Sequence, residues 1–196
     1  MLKSPQIILA SASPRRKELL TKAGFEFGVI VSDINESCYP AGNNEPTEYA
    51  KRLALAKANS VAADYHDALV IGADTIADFD GKIVGKPKDS KHAEQITRLL
   101  FSRPHKVITG LAIVRLKDNL QLVESDTTVV YPRKMSEQQI TTHIKSGSWR
   151  DKAGAYAIQE TGDEFVEKIE GSLTNVMGLP VELLKEMLDE VIHRIT

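Results

Sequence analysis

The chain has 196 residues, 42% of them hydrophobic and 27% charged, ordinary proportions for a globular protein able to bury a sizeable core. Twenty-five Lys and Arg against 27 Asp and Glu leave a net charge of −2, so no overall basic field draws it to a nucleic-acid polymer or an anionic membrane. A single cysteine, Cys38, excludes an intrachain disulfide and gives secretion no support.

In chain order, the apolar run Ile7–Ala10 reads as a buried strand, too short for a signal-peptide core or a membrane span, and no later stretch approaches membrane length. The expected location is the cytoplasm. Ser13 is a favoured N-cap and Pro14 a favoured first helical residue. Leu19, Leu20 and Ala23 give that helix an apolar side before Gly24 ends it. Arg15, Arg16 and Lys17 then fall in its first turn, where cations oppose the helix dipole by a few tenths of a kcal/mol to about 1 kcal/mol each. A strand is expected around Phe25 to Val31, then a polar loop carrying Glu36, then a helix over 46–65. That helix has an apolar stripe of Ala50, Leu53, Ala54, Ala58 and Val61. Lys57 falls on the same stripe.

Leu69 to Ala73 read as a buried strand with Asp74 at its end, and Asp80-Gly81 as the tight turn of a hairpin joining Ile76–Phe79 to Lys82–Val84. A helix capped by Asp89 follows, then two long strands over 106–116 and 120–132, a short helix ending near Gly147, and an ambiguous glycine-rich stretch over 148–180. An amphipathic helix from about Pro180 closes the chain. Buried strand–helix units beside long antiparallel strands predict an α/β fold with a mixed, partly antiparallel sheet and flanking helices, arranged as one domain over 1–196 with two lobes around a cleft.

A helix N-terminus already favours anions, and cations stacked there point to a phosphate ligand, for which arginine forks are suited. Ser11 and Ser13 add hydroxyls. The alternative is that these long side chains bend into solvent. Lys86, between Gly85 and Pro87, sits in a stiff turn able to aim an ammonium, although "GKIVGKP" has the wrong spacing for a P-loop. Asp74 is the best acidic candidate, with a turn carboxylate as the plain alternative. Glu36 could join it in holding Mg²⁺, which favours one or two carboxylates with phosphate oxygens and water. The five histidines show no paired ligand spacing, and with one cysteine no zinc site is expected. No nucleophile elbow is present.

The segments "ILASASPRRKELL", "LALAKA", "GADTI", "GKP", "DKAGAYAIQ" and "NVMGLP", in this order along nearly the whole chain, resemble the Maf family of nucleoside triphosphate pyrophosphatases. The branch acting on dTTP and UTP is most similar, through "SPRR", "ADT" and "GAYAIQ"; the 7-methyl-GTP branch typically has Trp where this chain has Arg15. The resemblance implies a cytoplasmic enzyme of Maf/ITPase-like fold, often a homodimer. Such an enzyme cleaves a nucleoside triphosphate between the α and β phosphates with a divalent metal, Mg²⁺ or Mn²⁺. It assigns substrate binding to Ser11, Arg15, Arg16, Lys57 and Lys86, and base preference to Arg15, Thr75 and Gln159. Metal binding falls to Glu36 and Asp74, with Asp74 catalytic. Two other readings stay open: the same reaction on 7-methyl-GTP or other modified nucleotides, and a non-catalytic nucleotide-binding regulator of cell division.

Overall fold

A computed structural model describes residues 5–42, 44–158 and 165–195. Its strands are β1 (Ile7–Leu9), β2 (Gly28–Val29), β3 (Leu69–Phe79), β4 (Lys82–Val84), β5 (His105–Arg115), β6 (Leu120–Pro132) and β7 (Val166–Glu170). They form one seven-stranded sheet in the order β2-β1-β3-β5-β6-β7, with β4 also on β3. Pairing is parallel at β1–β2 and β1–β3 and antiparallel elsewhere, so the sheet is mixed as expected. The helices are α1 (Pro14–Lys22), α2 (Pro46–Ala62), α3 (Ser90–Leu100), α4 (Glu137–Ser146), α5 (Leu173–Val176) and α6 (Val181–Ile195).

The two faces of β3 have different neighbours, because successive side chains alternate across a strand. On one face Val70, Gly72, Asp74 and Ile76 lie under α2. A Cβ at Gly72 would sit 2.2 Å from the Ala54 carbonyl, and one at Gly110 would sit 2.3 Å from the Ala50 backbone. These two glycines let the α2 backbone rest directly on the sheet. On the opposite face Leu69, Ile71 and Ala73 pack with α1 and α6, while Ala77 and Phe79 pack with α3 and α4. Between these apolar clusters lies a polar step, Thr75 beside its register partner Thr109.

Several expectations are corrected. The strand expected over Phe25–Val31 is only Gly28–Val29, matched to a β1 that is itself three residues long. The helix expected to reach residue 65 ends at Ala62. Asp74 does not end its strand: β3 runs unbroken for 11 residues, and the expected hairpin is its far end. That hairpin's turn is as the sequence suggests, with Asp80 and Gly81 both at positive φ, 53° and 79°, which glycine and Asp tolerate best. The ambiguous stretch contains a short 3₁₀ turn at Ala153–Ala155, then β7 and α5.

What makes Asp74 special is the edge beside it. β1 pairs with β3 only as far as Ile71, where the Ala10 N–H donates to the Ile71 carbonyl at 2.8 Å, and β4 begins pairing at Ala77. Among the described residues, positions 72–76 of β3 therefore have no strand on that side. The cleft opens there.

Candidate active site

Four chain segments converge on the open stretch of β3. From below comes the start of α1, where Ser13 caps the helix by accepting the Arg16 N–H at 3.4 Å. From above comes α2, seated close by Gly72 and Gly110, which delivers Lys57. Opposite lie the turn around Lys86 and the segment 150–158, tied together by the Gly154 N–H donating to the Gly85 carbonyl at 3.2 Å.

Lys57 lies between two carboxylates. Its Nζ donates to Asp74 Oδ1 at 2.6 Å and reaches Glu36 Oε1 at 2.7 Å. Asp74 is 8% exposed. Burial lifts its pKa above the ordinary carboxylate value, against the opposing pull of Lys57 and Arg16. Glu36 is more open: desolvation pushes its pKa upward, but the Lys57 hydrogen bond and the charges of Lys57, Lys86 and Arg16 outweigh it and hold the carboxyl below its usual value. The odd charge on an apolar helix stripe is thus the partner of a buried acid.

Arg16 is also engaged by the protein. Nε donates to the Gly178 carbonyl at 2.7 Å, Nη2 to Thr75 Oγ1 at 3.1 Å and Nη1 to Ser11 Oγ at 3.3 Å. Burial draws the guanidinium pKa down, countered by the nearby Asp74 charge. Thr75 continues the chain to Thr109 Oγ1 at 2.9 Å, and Thr109 donates to the Asn175 carbonyl at 3.2 Å. Three of the five guanidinium donors are therefore held by protein acceptors, and the group straps α1 to the 175–178 turn. Arg15 and Lys86 differ: among the described residues neither has an ion-pair partner, and both face the cleft.

The cleft has two connected parts. The outer one, about 580 Å³, is lined by polar groups that include Ser11, Arg15, Glu36, Lys57 and Lys86. The inner one, about 120 Å³, shares Arg15, Arg16, Lys57 and Lys86 with it, and adds Asp74 and Thr75 beside apolar residues that include Val107, Tyr156 and Ile158. Of the residues singled out in the sequence, Ser11, Arg15, Arg16, Glu36, Lys57, Asp74, Thr75 and Lys86 are all brought to this cleft. Gln159 lies outside the described residues. Sequence reasoning missed Asp151, Tyr156 and Gly178, which lie in the segments "DKAGAYAIQ" and "NVMGLP" without any periodic or charge signal to single them out. No group of three or more His, Cys, Asp or Glu able to hold a metal ion occurs among the described residues. Glu36 and Asp74 meet on the Lys57 ammonium, and their second carboxylate oxygens are hard donors of the kind a divalent ion takes together with phosphate oxygens and water.

A mixed α/β protein thus gathers arginine and lysine side chains, two carboxylates and several apolar residues in one cleft at the open edge of β3. The family model described as Maf-like protein matches residues 6–191, and the chain belongs to the Maf family. A dTTP/UTP pyrophosphatase of Citrifermentans bemidjiense is 45% identical over 180 residues, 92% of each chain. Another, of Clostridium botulinum, is 44% identical over 188 residues, 95% of this chain and 100% of that one. Among solved structures, a HAM1 protein from Coxiella burnetii aligns over 95% of this chain and 100% of its own at 14% identity, with a TM-score of 0.47. No helix among the described residues is long and apolar enough to cross a membrane.

Proposed function

We propose that this chain is a nucleoside triphosphate pyrophosphatase that hydrolyses dTTP and UTP to the monophosphate and pyrophosphate. The observation that carries the reading is the meeting of a cationic seam, Arg15, Arg16 and Lys86, with the buried carboxylate of Asp74 at the open edge of β3. Identity of 44–45% to relatives named dTTP/UTP pyrophosphatase supports the choice of reaction and of base.

Arg15 and Lys86, which have no ion-pair partner among the described residues, take the phosphate chain. Ser11 and the remaining donors of Arg16 extend that contact. At an effective dielectric of about 20, each close ion pair contributes up to roughly 4 kcal/mol before desolvation is subtracted. A water oxygen attacks the α phosphorus; the bond from that phosphorus to the α–β bridging oxygen breaks, and the bridging oxygen leaves with pyrophosphate. Lys57 occupies Oδ1 of Asp74, and we assign the water's proton to Oδ2. Positioned charges do the rest, as in phosphoryl transfer generally. Glu36 and Asp74 would hold the divalent cation, Mg²⁺ or Mn²⁺, which supplies charge neutralisation on the phosphates. We assign base preference to Arg15, which lines both parts of the cleft, to Thr75, which lines the inner one, and, by family resemblance alone, to Gln159. The lone cysteine and modest net charge support a cytoplasmic enzyme that does not bind nucleic-acid polymers. We assign it a homodimeric state, on family resemblance.

The test is turnover of UTP with Mg²⁺ or Mn²⁺ in water labelled with heavy oxygen. The reading expects pyrophosphate as first product and the label in UMP. Orthophosphate first, or label in pyrophosphate, would overturn it. Tight UTP binding with no product after long incubation would instead make the chain a nucleotide sensor.

A further inference from the structure

Strand β5 carries a hydroxyl where its neighbours are apolar. Thr109 is fully buried, and the residues beside it on that face, Val107 and Leu111, belong to the two apolar clusters. Valine has the same shape and would fill the space without burying a polar group, which costs unless it is hydrogen-bonded. This hydroxyl is hydrogen-bonded, and its partners lead to Arg16. Thr109 has one proton, and the Asn175 carbonyl at 3.2 Å can only accept it. The 2.9 Å contact between the two threonines is then made by Thr75 donating, which leaves Thr75 Oγ1 with lone pairs for Arg16 Nη2 at 3.1 Å. The other acceptor near Thr75, the Gly178 carbonyl, is farther off at 3.4 Å and already takes Arg16 Nε. The bonds therefore run one way, from the guanidinium to Thr75 to Thr109 to the Asn175 carbonyl, and such a chain strengthens its members.

Asn175 anchors the far end. It too is fully buried, and its Nδ2 donates to the Val107 carbonyl and to Thr128 Oγ1, both at 3.0 Å, so one side chain pins α5 to β5 and β6 together. The orientation of the amide is fixed, because turning it over would set Oδ1 against the Val107 carbonyl, two acceptors with no proton between them. As it stands Oδ1 has no hydrogen-bond partner among the described residues, so the anchoring bonds are kept although they leave one buried acceptor unpaired. From Asn175 the chain turns to Gly178, whose N–H donates back to the Asn175 carbonyl at 2.9 Å and whose φ of +109° favours glycine. That turn brings the Gly178 carbonyl to Arg16 Nε at 2.7 Å. Asn175 thus supports both acceptors of the guanidinium on this side, one through the turn and the other through Thr109.

We propose that Thr109, anchored on Asn175, is a positioning residue: it holds Arg16 so that the two uncommitted N–H groups of the guanidinium, one on each terminal nitrogen, are aimed at the phosphate chain before the nucleotide arrives. Neither Thr109 nor Asn175 lines the cleft. The inference rests on the reading of the chain as a nucleoside triphosphate pyrophosphatase and goes further by naming a residue outside the cleft on which phosphate binding depends. A guanidinium oriented in advance loses less freedom when it binds, so loosening it weakens the hold on the triphosphate.

The experiment measures, with Mg²⁺ present, kcat/KM for UTP and the Kd of its α,β-methylene analogue, which cannot be cleaved between those phosphates. The proteins are wild type, Thr109→Val, Thr109→Ser and Arg16→Lys, with the double variant Thr109→Val/Arg16→Lys closing a cycle. Thr109→Val keeps the shape and removes the hydroxyl. It is expected to weaken analogue binding and to lower kcat/KM, each about tenfold, the scale of one hydrogen bond to a charged group. Thr109→Ser keeps the hydroxyl and should restore both. In the Arg16→Lys background, where the fork and its bond to Thr75 are gone, adding Thr109→Val should weaken binding by less than about twofold. Equal weakening in the two backgrounds would make Thr109 a structural residue and overturn the inference, as would a Thr109→Val protein within about twofold of wild type in both measurements. Should Thr109→Val not fold, Thr109→Ala takes its place in the cycle. A wild type that releases no pyrophosphate from UTP overturns the underlying reading instead, and the binding cycle still decides the inference.

Discussion

Lys57 shows why single residues at this site carry more than one duty. Its ammonium is the counter-charge that opposes the cost of burying the Asp74 carboxylate, so removing Lys57 leaves that group poorly compensated, whereas Lys57 itself keeps Glu36 if Asp74 is neutralised. Lys57→Met, which keeps the aliphatic stem, is expected to destabilise the fold by about 3 kcal/mol, the usual cost of breaking a buried pair; urea denaturation at neutral pH checks this. Asp74→Asn retains an acceptor for Lys57 but loses the proton acceptor. It should therefore unfold near the wild-type midpoint while kcat falls about 100- to 10,000-fold, the range of general-base contributions. A variant keeping more than a tenth of wild-type kcat would remove Asp74 from the reaction. The cations were legible in the sequence because they stand where the helix dipole disfavours them, and Lys57 because a charge interrupts an apolar stripe. Their partners were not legible. Arg16 is held by the Gly178 carbonyl, 162 positions away, and no local pattern encodes that contact.

At the scale of elements, the decisive contact is α2 against β3 and β5. Periodicity identifies α2 and both strands, but what sets their distance is the absence of side chains at Gly72 and Gly110, which the sequence offers only as two glycines inside apolar strands. Gly72→Ala places a Cβ 2.9 Å or less from three atoms of Ala54 and Ala58, mostly backbone, so the helix must lift. Overpacking of this kind costs about 1–3 kcal/mol. Because Lys57 rides on α2, the same substitution should separate Nζ from Asp74 and lower kcat as well as the unfolding midpoint. Gly81→Ala, in a turn with nothing within 4 Å, is the control: it strains a positive φ yet should leave kcat alone. Equal kcat losses in the two variants would mean that α2 seating does not govern the site. In the sequence β3 reads as two pieces because Asp74 and Thr75 interrupt its apolar run; the unbroken ladder to β5 through both positions overrides that local signal. β7 and α5 escaped notice for a different reason. One is five residues alternating charge on a sheet edge and the other a single helical turn, both too short to establish a period.

Across the whole molecule, the sheet carries two apolar clusters on one face, and His105 is buried beside the one built on α3 and α4, at the start of β5. Burial draws its pKa from 6.5 down to about 4, because a charged imidazole there would lose hydration, a cost that the backbone hydrogen bonds to Leu100 and Arg103 only partly offset. The sign of the consequence follows from proton counting. Between pH 6.5 and 4 the unfolded chain takes up a proton at this position and the folded one does not, so stability is complete above about pH 6.5 and declines as pH falls towards 4. From pH 7 to pH 5 this single group should remove about 2 kcal/mol of unfolding free energy. The carboxyls held below their usual values, such as Glu36, act in the opposite window, below about pH 4.5, so they do not mask it. Asp74, lifted by burial, shifts stability the other way as pH falls, and it does so equally in any variant that keeps it. Comparison with His105→Gln therefore isolates the effect: glutamine supplies one donor for the Leu100 carbonyl and one acceptor for the Tyr156 hydroxyl, and it does not titrate. Urea melts of both proteins at pH 7 and pH 5 should show the wild type losing about 2 kcal/mol more than the variant over that interval. Equal losses would mean that His105 is charged within the folded protein and that its nitrogen does not accept from Tyr156.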